Sequence, residues 1–221
     1  MPIIDAELPV EERLWQLLQH LGIERAHFAA RGMGDCDWGR LVANHADAIA
    51  SLTLICPRGM DPSPLATLAP HLLVFTGDQG RPDENVQRVV ARLQGATLVV
   101  LRDCVSPTIY ADVVADRAAD IGPTMLDFLA RTAQGHETRA VSLPAGEGEV
   151  GGLSYRIYGS GAPLVLLPLG VAPSQWEHLL PRLSERYCTI TLGGCPRINV
   201  YSLLIASEGY SPCERVRFPL K

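Results

Sequence analysis

The sequence lacks several features that would assign it to a functional class. It has no excess of basic residues, since the formal net charge at pH 7 is −5, so nucleic-acid binding is not indicated. No apolar run reaches the roughly 18 residues that a membrane-spanning helix needs, so no membrane contact is expected. The amino end has neither a basic start nor a long apolar core, and it therefore predicts no secretory signal.

Cysteine is present, but not in a metal-binding pattern. None of the 6 cysteines forms a C-x-x-C pair and no histidine cluster accompanies them, so neither a metal site nor another cofactor is predicted. A chain of 221 residues can bury a substantial core and does not need disulfides. We therefore expect reduced thiols and a cytoplasmic location.

The chain does contain an alternation of short apolar runs and amphipathic segments over residues 1–133. This alternation favours a parallel sheet covered by helices. Helices are predicted at Val10–Leu21, about Asp37–His45, Asn85–Leu93 and Ala111–Arg131, the last of them irregular near Gly122-Pro123, and strands at Ile23–Ala30, Ser51–Cys56, His71–Thr76 and Thr97–Leu101.

The second part of the chain begins with a polar stretch, residues 134–152, that is rich in Gly and Glu. It is interpreted as a linker leading into a hairpin whose strands are Val141–Pro144 and Leu153–Tyr158. Further elements are predicted at Leu164–Leu167 (strand), Ser174–Arg186 (helix, capped by Ser174), Tyr187–Leu192 (strand) and Ile198–Glu208 (helix). The whole chain, residues 1–221, is predicted to form one three-layer α/β/α domain around a mostly parallel eight-stranded sheet. Residues 1–133 and 153–221 are its two parts.

The stretch from His27 to Asp35 combines an apolar run, a glycine-rich turn and the start of a helix. That is the shape of a nucleophile elbow, in which a strained turn lifts a Ser, Cys or Asp above the sheet. The position expected for the nucleophile holds Gly32, which has no side chain that could attack a substrate. His27 precedes the turn and is interpreted as a satisfied core histidine rather than a catalytic one.

Several further stretches resemble the α/β-hydrolase fold with its two halves exchanged. Residues 141–194 are similar to the opening of that fold, with a hairpin and then Pro163–Gly170 where the oxyanion-hole loop would lie. Residues 10–131 are similar to the remainder. The resemblance implies a circularly permuted hydrolase order within one sheet, with residues 134–152 as the new connection.

The same resemblance implies that the Ser-His-Asp triad has been lost. The acid would stand at about Gly80, and Asp78, two residues earlier, is either a substitute or a turn residue. The histidine should follow the strand Thr97–Leu101, but the loop Arg102–Tyr110 contains none.

Two displaced nucleophiles are the alternatives. Asp37, in Asp-Trp-Gly, resembles the nucleophile of haloalkane dehalogenases, and Cys36, in Gly-Asp-Cys, resembles that of dienelactone-type enzymes. Either would move the elbow four or five residues along the chain, and Trp38 would then occupy the place of its last glycine. Cys36 also fits a small buried thiol.

Without a nucleophile, backbone N–H groups of the elbow and of the oxyanion-hole loop could still hold a polar ligand. The residues predicted to bind it are Gly32, Met33, Gly34, Leu169, Gly170 and Trp176. Trp176 is alternatively a packing residue. The preferred interpretation is a non-catalytic module that binds a small ligand or acts in interaction or scaffolding. The alternative is an esterase-type or dehalogenase-type hydrolase that uses Asp37 or Cys36.

The exchanged order also resembles a hydrolase-like region that precedes an S-adenosylmethionine-dependent methyltransferase in some bacterial proteins. This resemblance implies a methyltransferase domain as one partner, while exchange of the two parts between chains would give a homodimer. The chain itself carries no methyltransferase motif. Its glycine-rich stretch Ala145–Gly152 follows no apolar strand, so a hairpin turn is the better interpretation.

Overall fold

A computed structural model of the chain describes residues 8–31, 36–106, 113–133, 138–150, 152–168 and 173–193. The helices in these ranges are α1 (Val10–His20), α2 (Trp38–His45), α3 (Pro62–Leu65), α4 (Arg81–Val90), α5 (Val113–Asp116), α6 (Ala118–Ala133) and α7 (Leu180–Ser184), with 3₁₀ turns at Ala46–Ala48, Ala69–His71 and Pro173–Trp176. The strands are β1 (Ala26–Ala30), β2 (Ile49–Ile55), β3 (Leu72–Gln79), β4 (Thr97–Val105), β5 (Gly146–Val150), β6 (Leu153–Tyr158), β7 (Ala162–Leu166) and β8 (Tyr187–Gly193). Within the described ranges, no helix has both the length and the apolar character to cross a membrane.

All eight strands form one sheet in the order β4-β3-β2-β1-β7-β8-β6-β5. The neighbours from β4 to β8 pair in parallel, and β6 pairs antiparallel with both β8 and β5. The predicted fold class, a mostly parallel eight-stranded α/β sheet, is confirmed. The two parts of the chain meet at the centre, where His27 in β1 lies beside Leu164 in β7.

Helices cover both faces of the sheet, and each face has its own apolar core. One core combines leucines of α1 and α2 with valines of α4, packed against Phe28 and Leu52 of the sheet. The other combines α5, α6 and α7 with alternate strand residues such as Ala29 and Leu164. The central strands β1 and β2 are buried along their whole length, as strands covered on both faces must be.

The hairpin prediction was wrong in the position of its first strand. Gly146–Val150, which lies within the stretch Ala145–Gly152 that was interpreted as a hairpin turn, is strand β5, and Val141 forms only an isolated bridge with Gly161. The Gly and Glu composition suggested a turn, but Gly148 lies opposite Tyr155, and a Cβ there would come within 2.4 Å of the tyrosine ring. Glycine at this position leaves room for the ring of the cross-strand neighbour and does not mark a turn.

Two predicted helices are interrupted. The helix predicted at Ser174–Arg186 is a 3₁₀ turn followed by α7, because Pro181 has no N–H and begins a new helix. The Ser174 side chain lies outside the description, as does the whole helix predicted at Ile198–Glu208. The helix predicted at Ala111–Arg131 is divided at Arg117, whereas Pro123, the predicted irregularity, lies inside α6.

Candidate functional site

The carboxyl ends of β1 to β4 lie at one edge of the sheet, where α/β proteins usually bind ligands. Polar side chains gather there from the ends of β3 and β4 and from the first turn of α4. We call the residues Thr76, Gly77, Asp83 and Ser106 the carboxyl-edge network.

Asp83 is the centre of the carboxyl-edge network and is only 1% exposed. Its Oδ1 accepts hydrogen bonds from Thr76 Oγ1 at 2.7 Å and from Gly77 N at 2.9 Å, and Ser106 Oγ donates to the same atom. Its Oδ2 accepts from Ser106 N at 3.0 Å. Burial raises the pKa of Asp83, but these hydrogen bonds outweigh burial, and the net pKa is lowered.

Asp78, the predicted substitute for the catalytic acid, lies at the exposed end of β3. Its two oxygens accept the backbone N–H groups of Asp103 and Cys104, each at 3.0 Å. These backbone hydrogen bonds, with Cys104 the larger contributor, lower the pKa of Asp78. The carboxylate therefore holds the end of β4, where Asp103 adopts a φ of 51°.

Cys56 follows β2 and adopts a φ of 46°, a conformation that side-chain-bearing residues rarely take. Its N–H donates to the Phe75 carbonyl at 2.9 Å, and its thiol is fully buried. Burial raises the pKa of this thiol to about 11, although a hydrogen bond with Ser106 and the nearby Arg31 act in the opposite direction. A thiol with so high a pKa is a poor nucleophile at neutral pH.

The two displaced nucleophiles of the sequence analysis lie directly before α2. Asp37 is exposed and caps the helix, since its Oδ1 accepts the Arg40 N–H at 3.0 Å. Cys36 is 7% exposed and belongs to the apolar core beneath α1 and α2. Trp38, the first residue of α2, packs edge-on against Phe28.

Most residues predicted to bind a ligand lie outside the described residues: Gly32, Met33, Gly34, Leu169 and Gly170. Trp176 is described and is completely buried, and its Nε1–H donates to the Leu167 carbonyl at 2.8 Å. The indole thus joins the 3₁₀ turn to the end of β7 and packs within the core.

His27, His45 and His71 lie away from the carboxyl-edge network. His27 is fully buried near the amino end of β1, with its Nδ1 2.8 Å from Ser51 Oγ. Burial lowers the pKa of His27 to about 4, and its Nε2 has no hydrogen-bond partner in the described part of the chain. His71 directly precedes β3 at the same end of the sheet, and His45 stacks on Trp15 and bonds to Glu12. Among the described residues, no group of three or more His, Cys, Asp or Glu could hold a metal ion.

Sequence reasoning missed Asp83, Ser106 and Cys56. A signal for Asp83 was present, because Arg81-Pro82-Asp83 places an acidic residue in the first turn of a helix that follows a strand directly. The partners of Asp83 on β3 and β4 could not be foreseen, since they depend on the register between those strands. Comparison with known proteins adds no assignment: no protein-family model matches this chain, and no curated protein is significantly similar to it.

Proposed function

We propose that this chain is a hydrolase-like α/β module without hydrolase chemistry, which binds a small ligand or acts as an interaction or scaffolding domain. Two observations support this proposal: the order of the strands in the sheet, and the hydrogen bonding of the carboxylates at the carboxyl edge. The esterase or dehalogenase alternative, with Asp37 or Cys36 as nucleophile, is the competing proposal.

The strand order supports the proposed exchange of halves. If the chain were joined end to start and opened at the connection before β5, its strands would run β5, β6, β7, β8, β1, β2, β3, β4. Across the sheet, the strands would then follow the same order as along the chain, except that β7 and β8 would exchange places. Each part supplies a contiguous half of the sheet, as expected if one fold had been re-opened at a surface connection.

The observation that carries the non-catalytic proposal is the hydrogen bonding of the two edge carboxylates. Asp83 accepts from Thr76, Gly77 and Ser106, and Asp78 accepts from two backbone N–H groups. A triad acid needs an oxygen directed at a histidine that in turn reaches a nucleophile. Here both carboxylates instead bind groups at the ends of β3 and β4, and His27, His45 and His71 lie away from them.

The test is hydrolysis of short-chain p-nitrophenyl esters, together with halide release from short haloalkanes. We expect the wild type, Cys36→Ala and Asp37→Asn to be indistinguishable from buffer. Asp61→Asn is the matched control for Asp37→Asn, because Asp61 caps α3 through the Ser63 N–H in the same way. An enzymatic rate that disappears in Cys36→Ala or Asp37→Asn, and persists in Asp61→Asn, would establish the competing proposal and identify the nucleophile.

If the chain acts in interaction, its proposed partner is either a methyltransferase domain or a second copy of the chain. Sedimentation of the purified chain distinguishes the second case. A dimer that exchanges its two sheet halves would dissociate only on unfolding, because the β1–β7 pairing lies in the centre of the sheet. A monomer at all concentrations would exclude the exchanged dimer.

A further inference from the structure

The edge of the sheet opposite the carboxyl-edge network carries a cleft of about 570 Å³. Both parts of the chain form it. Residues 21–25, which lead into β1, provide one wall, and residues 139–143 of the connection provide the other. We call this the amino-edge cleft. Its volume lies in the range of small-molecule sites.

The second wall of the amino-edge cleft is fixed to the fold. Val141 N donates to the Gly161 carbonyl at 2.9 Å, and Gly161 N donates back to Val141 at 3.2 Å. The backbone of Leu143 hydrogen bonds to the buried thiol of Cys188. These contacts hold Arg139 beside the cleft at the end of an anchored segment.

Four charged side chains line the amino-edge cleft: Glu24, Arg25, Asp47 and Arg139. Within the described residues, none of the four forms an ion pair with another protein side chain. Arg25 is partly buried, and its Nη2 donates to the Ile49 carbonyl at 3.2 Å. Its Nε is buried and has no hydrogen-bond partner in the described part of the chain, a costly state for a charged donor.

We propose that the amino-edge cleft binds a small zwitterion that carries a carboxylate, an ammonium group and an apolar side chain. The two guanidiniums suit a carboxylate, which can accept two hydrogen bonds from one arginine. Glu24 and Asp47 suit an ammonium group, and they disfavour a ligand with negative charge alone. Leu21, Ile23 and Leu143 supply the apolar contact. The site is at the opposite edge from the carboxyl end of β1, so the proposal does not rest on the hydrolase resemblance.

The test is a titration of the isotope-labelled full chain, followed by backbone amide NMR. The probes are L-phenylalanine and the dipeptide leucyl-phenylalanine, beside two singly charged relatives, 3-phenylpropionate and phenethylamine. We expect at least one zwitterion to bind saturably, with a Kd of about 1 mM or tighter, and to shift the signals of residues 21–25, 47 and 139–143. Both singly charged relatives should bind at least about tenfold more weakly.

Three variants distinguish binding at these charges from non-specific contact. Arg139→Gln and Asp47→Asn change exposed side chains, so they should leave the fold intact and weaken the zwitterion about tenfold. Arg58→Gln, an exposed arginine outside the cleft, should change nothing. The proposal is overturned if neither zwitterion shifts these signals saturably, or if Arg139→Gln and Asp47→Asn bind as the wild type does.

Discussion

The two edges of the sheet differ in how their charged groups are satisfied. At the carboxyl edge, the buried Asp83 accepts hydrogen bonds from the protein at both of its oxygens. At the amino edge, Glu24, Asp47 and Arg139 form no ion pair in the described part of the chain, and Arg25 keeps a buried N–H without a partner. A carboxylate whose acceptor positions are filled stabilises the fold, whereas charges left unpaired around a cleft remain available to a ligand.

The comparison reverses what position alone would suggest. The carboxyl ends of parallel strands are the usual place for chemistry, and the sequence analysis placed its catalytic candidates there. In this chain Asp78 and Asp83 hold the ends of β3 and β4 together, and the amino-edge cleft lies at the other edge. Charged and polar groups that stabilise the fold should respond differently to substitution from those that are available to a ligand.

The largest effect is expected for Asp83→Ala. The substitution leaves the N–H groups of Gly77 and Ser106 and two hydroxyls without their acceptor in a buried position, so the free energy of unfolding should fall by about 4 kcal/mol. Urea denaturation measures this loss. The control is Asp78→Ala, which removes an exposed carboxylate and should cost clearly less. Equal losses in the two variants would contradict the central role of Asp83.

Gly77→Ala should be nearly as damaging. A Cβ at this position would lie 2.1 Å from the Cys104 carbonyl oxygen, and the strand register already shifts between Gly77 and Gln79. Because that neighbour is backbone, we expect a loss of about 3 kcal/mol in the free energy of unfolding. Gly22→Ala is the control: its φ is 67° but a Cβ there meets nothing within 4 Å, so it should cost only about 1 kcal/mol of backbone strain. A much smaller loss of stability in Gly77→Ala would show that β4 can move away from β3.

The stability of the protein should fall as pH decreases, because His27 is buried in its neutral form. Burial lowers the pKa of His27 from 6.5 to about 4, so the unfolded chain binds a proton that the folded chain excludes between these values. The stability that neutral His27 contributes is therefore fully present above the unfolded pKa of 6.5, and it is lost as the pH falls from there towards 4. The expected loss is about 2 kcal/mol between about pH 7 and about pH 4.5.

Urea denaturation across this pH range, wild type beside His27→Gln, measures the contribution of His27. The variant should show a shallower fall, although it starts from a lower stability because Ser51 loses its partner. His178→Gln, at an exposed histidine, is the control and should keep the wild-type slope. Parallel pH curves for wild type and His27→Gln would mean that the folded chain accepts a proton on His27.

The smallest effect concerns thiol reactivity at the carboxyl edge. Cys56 is fully buried with a pKa of about 11, while Cys104 is half-buried. Iodoacetamide labelling of the folded protein at about pH 8, followed by peptide mass spectrometry, should modify Cys104 well before Cys56. In urea the two should react at similar rates. Faster labelling of Cys56 in the folded state would identify it as an activated thiol.

The sequence predicted the central part of the fold well, because strands buried on both faces carry uninterrupted apolar runs. Ser51–Cys56 and His71–Thr76 lie within or beside β2 and β3 as predicted. The first strand of the hairpin was misplaced because Gly148 leaves room for Tyr155 on the neighbouring strand, a contact that local composition does not reveal. Long-range pairing decides such positions.

The candidate site was harder to predict than the fold. Asp78 was identified from its place after a strand, but its bonds to Asp103 and Cys104 depend on the positive φ of Asp103. The positive φ of Cys56 could not be predicted, because a positive φ is usually indicated by glycine and this position holds cysteine. The amino-edge cleft joins residues more than 100 positions apart in sequence, such as Arg25 and Arg139, so no local motif could indicate it.

The most direct test of the structural role of the carboxyl edge is a paired measurement on Ser106→Ala. In the carboxyl-edge network the Ser106 hydroxyl bonds to both Asp83 and Gly77, so its removal tests whether the hydroxyls of this network hold the strand ends or take part in hydrolysis. We predict that the wild type hydrolyses p-nitrophenyl acetate no faster than buffer, and that Ser106→Ala lowers the free energy of unfolding by about 1 kcal/mol. An enzymatic rate in the wild type that is abolished in a folded Ser106→Ala variant would contradict the account.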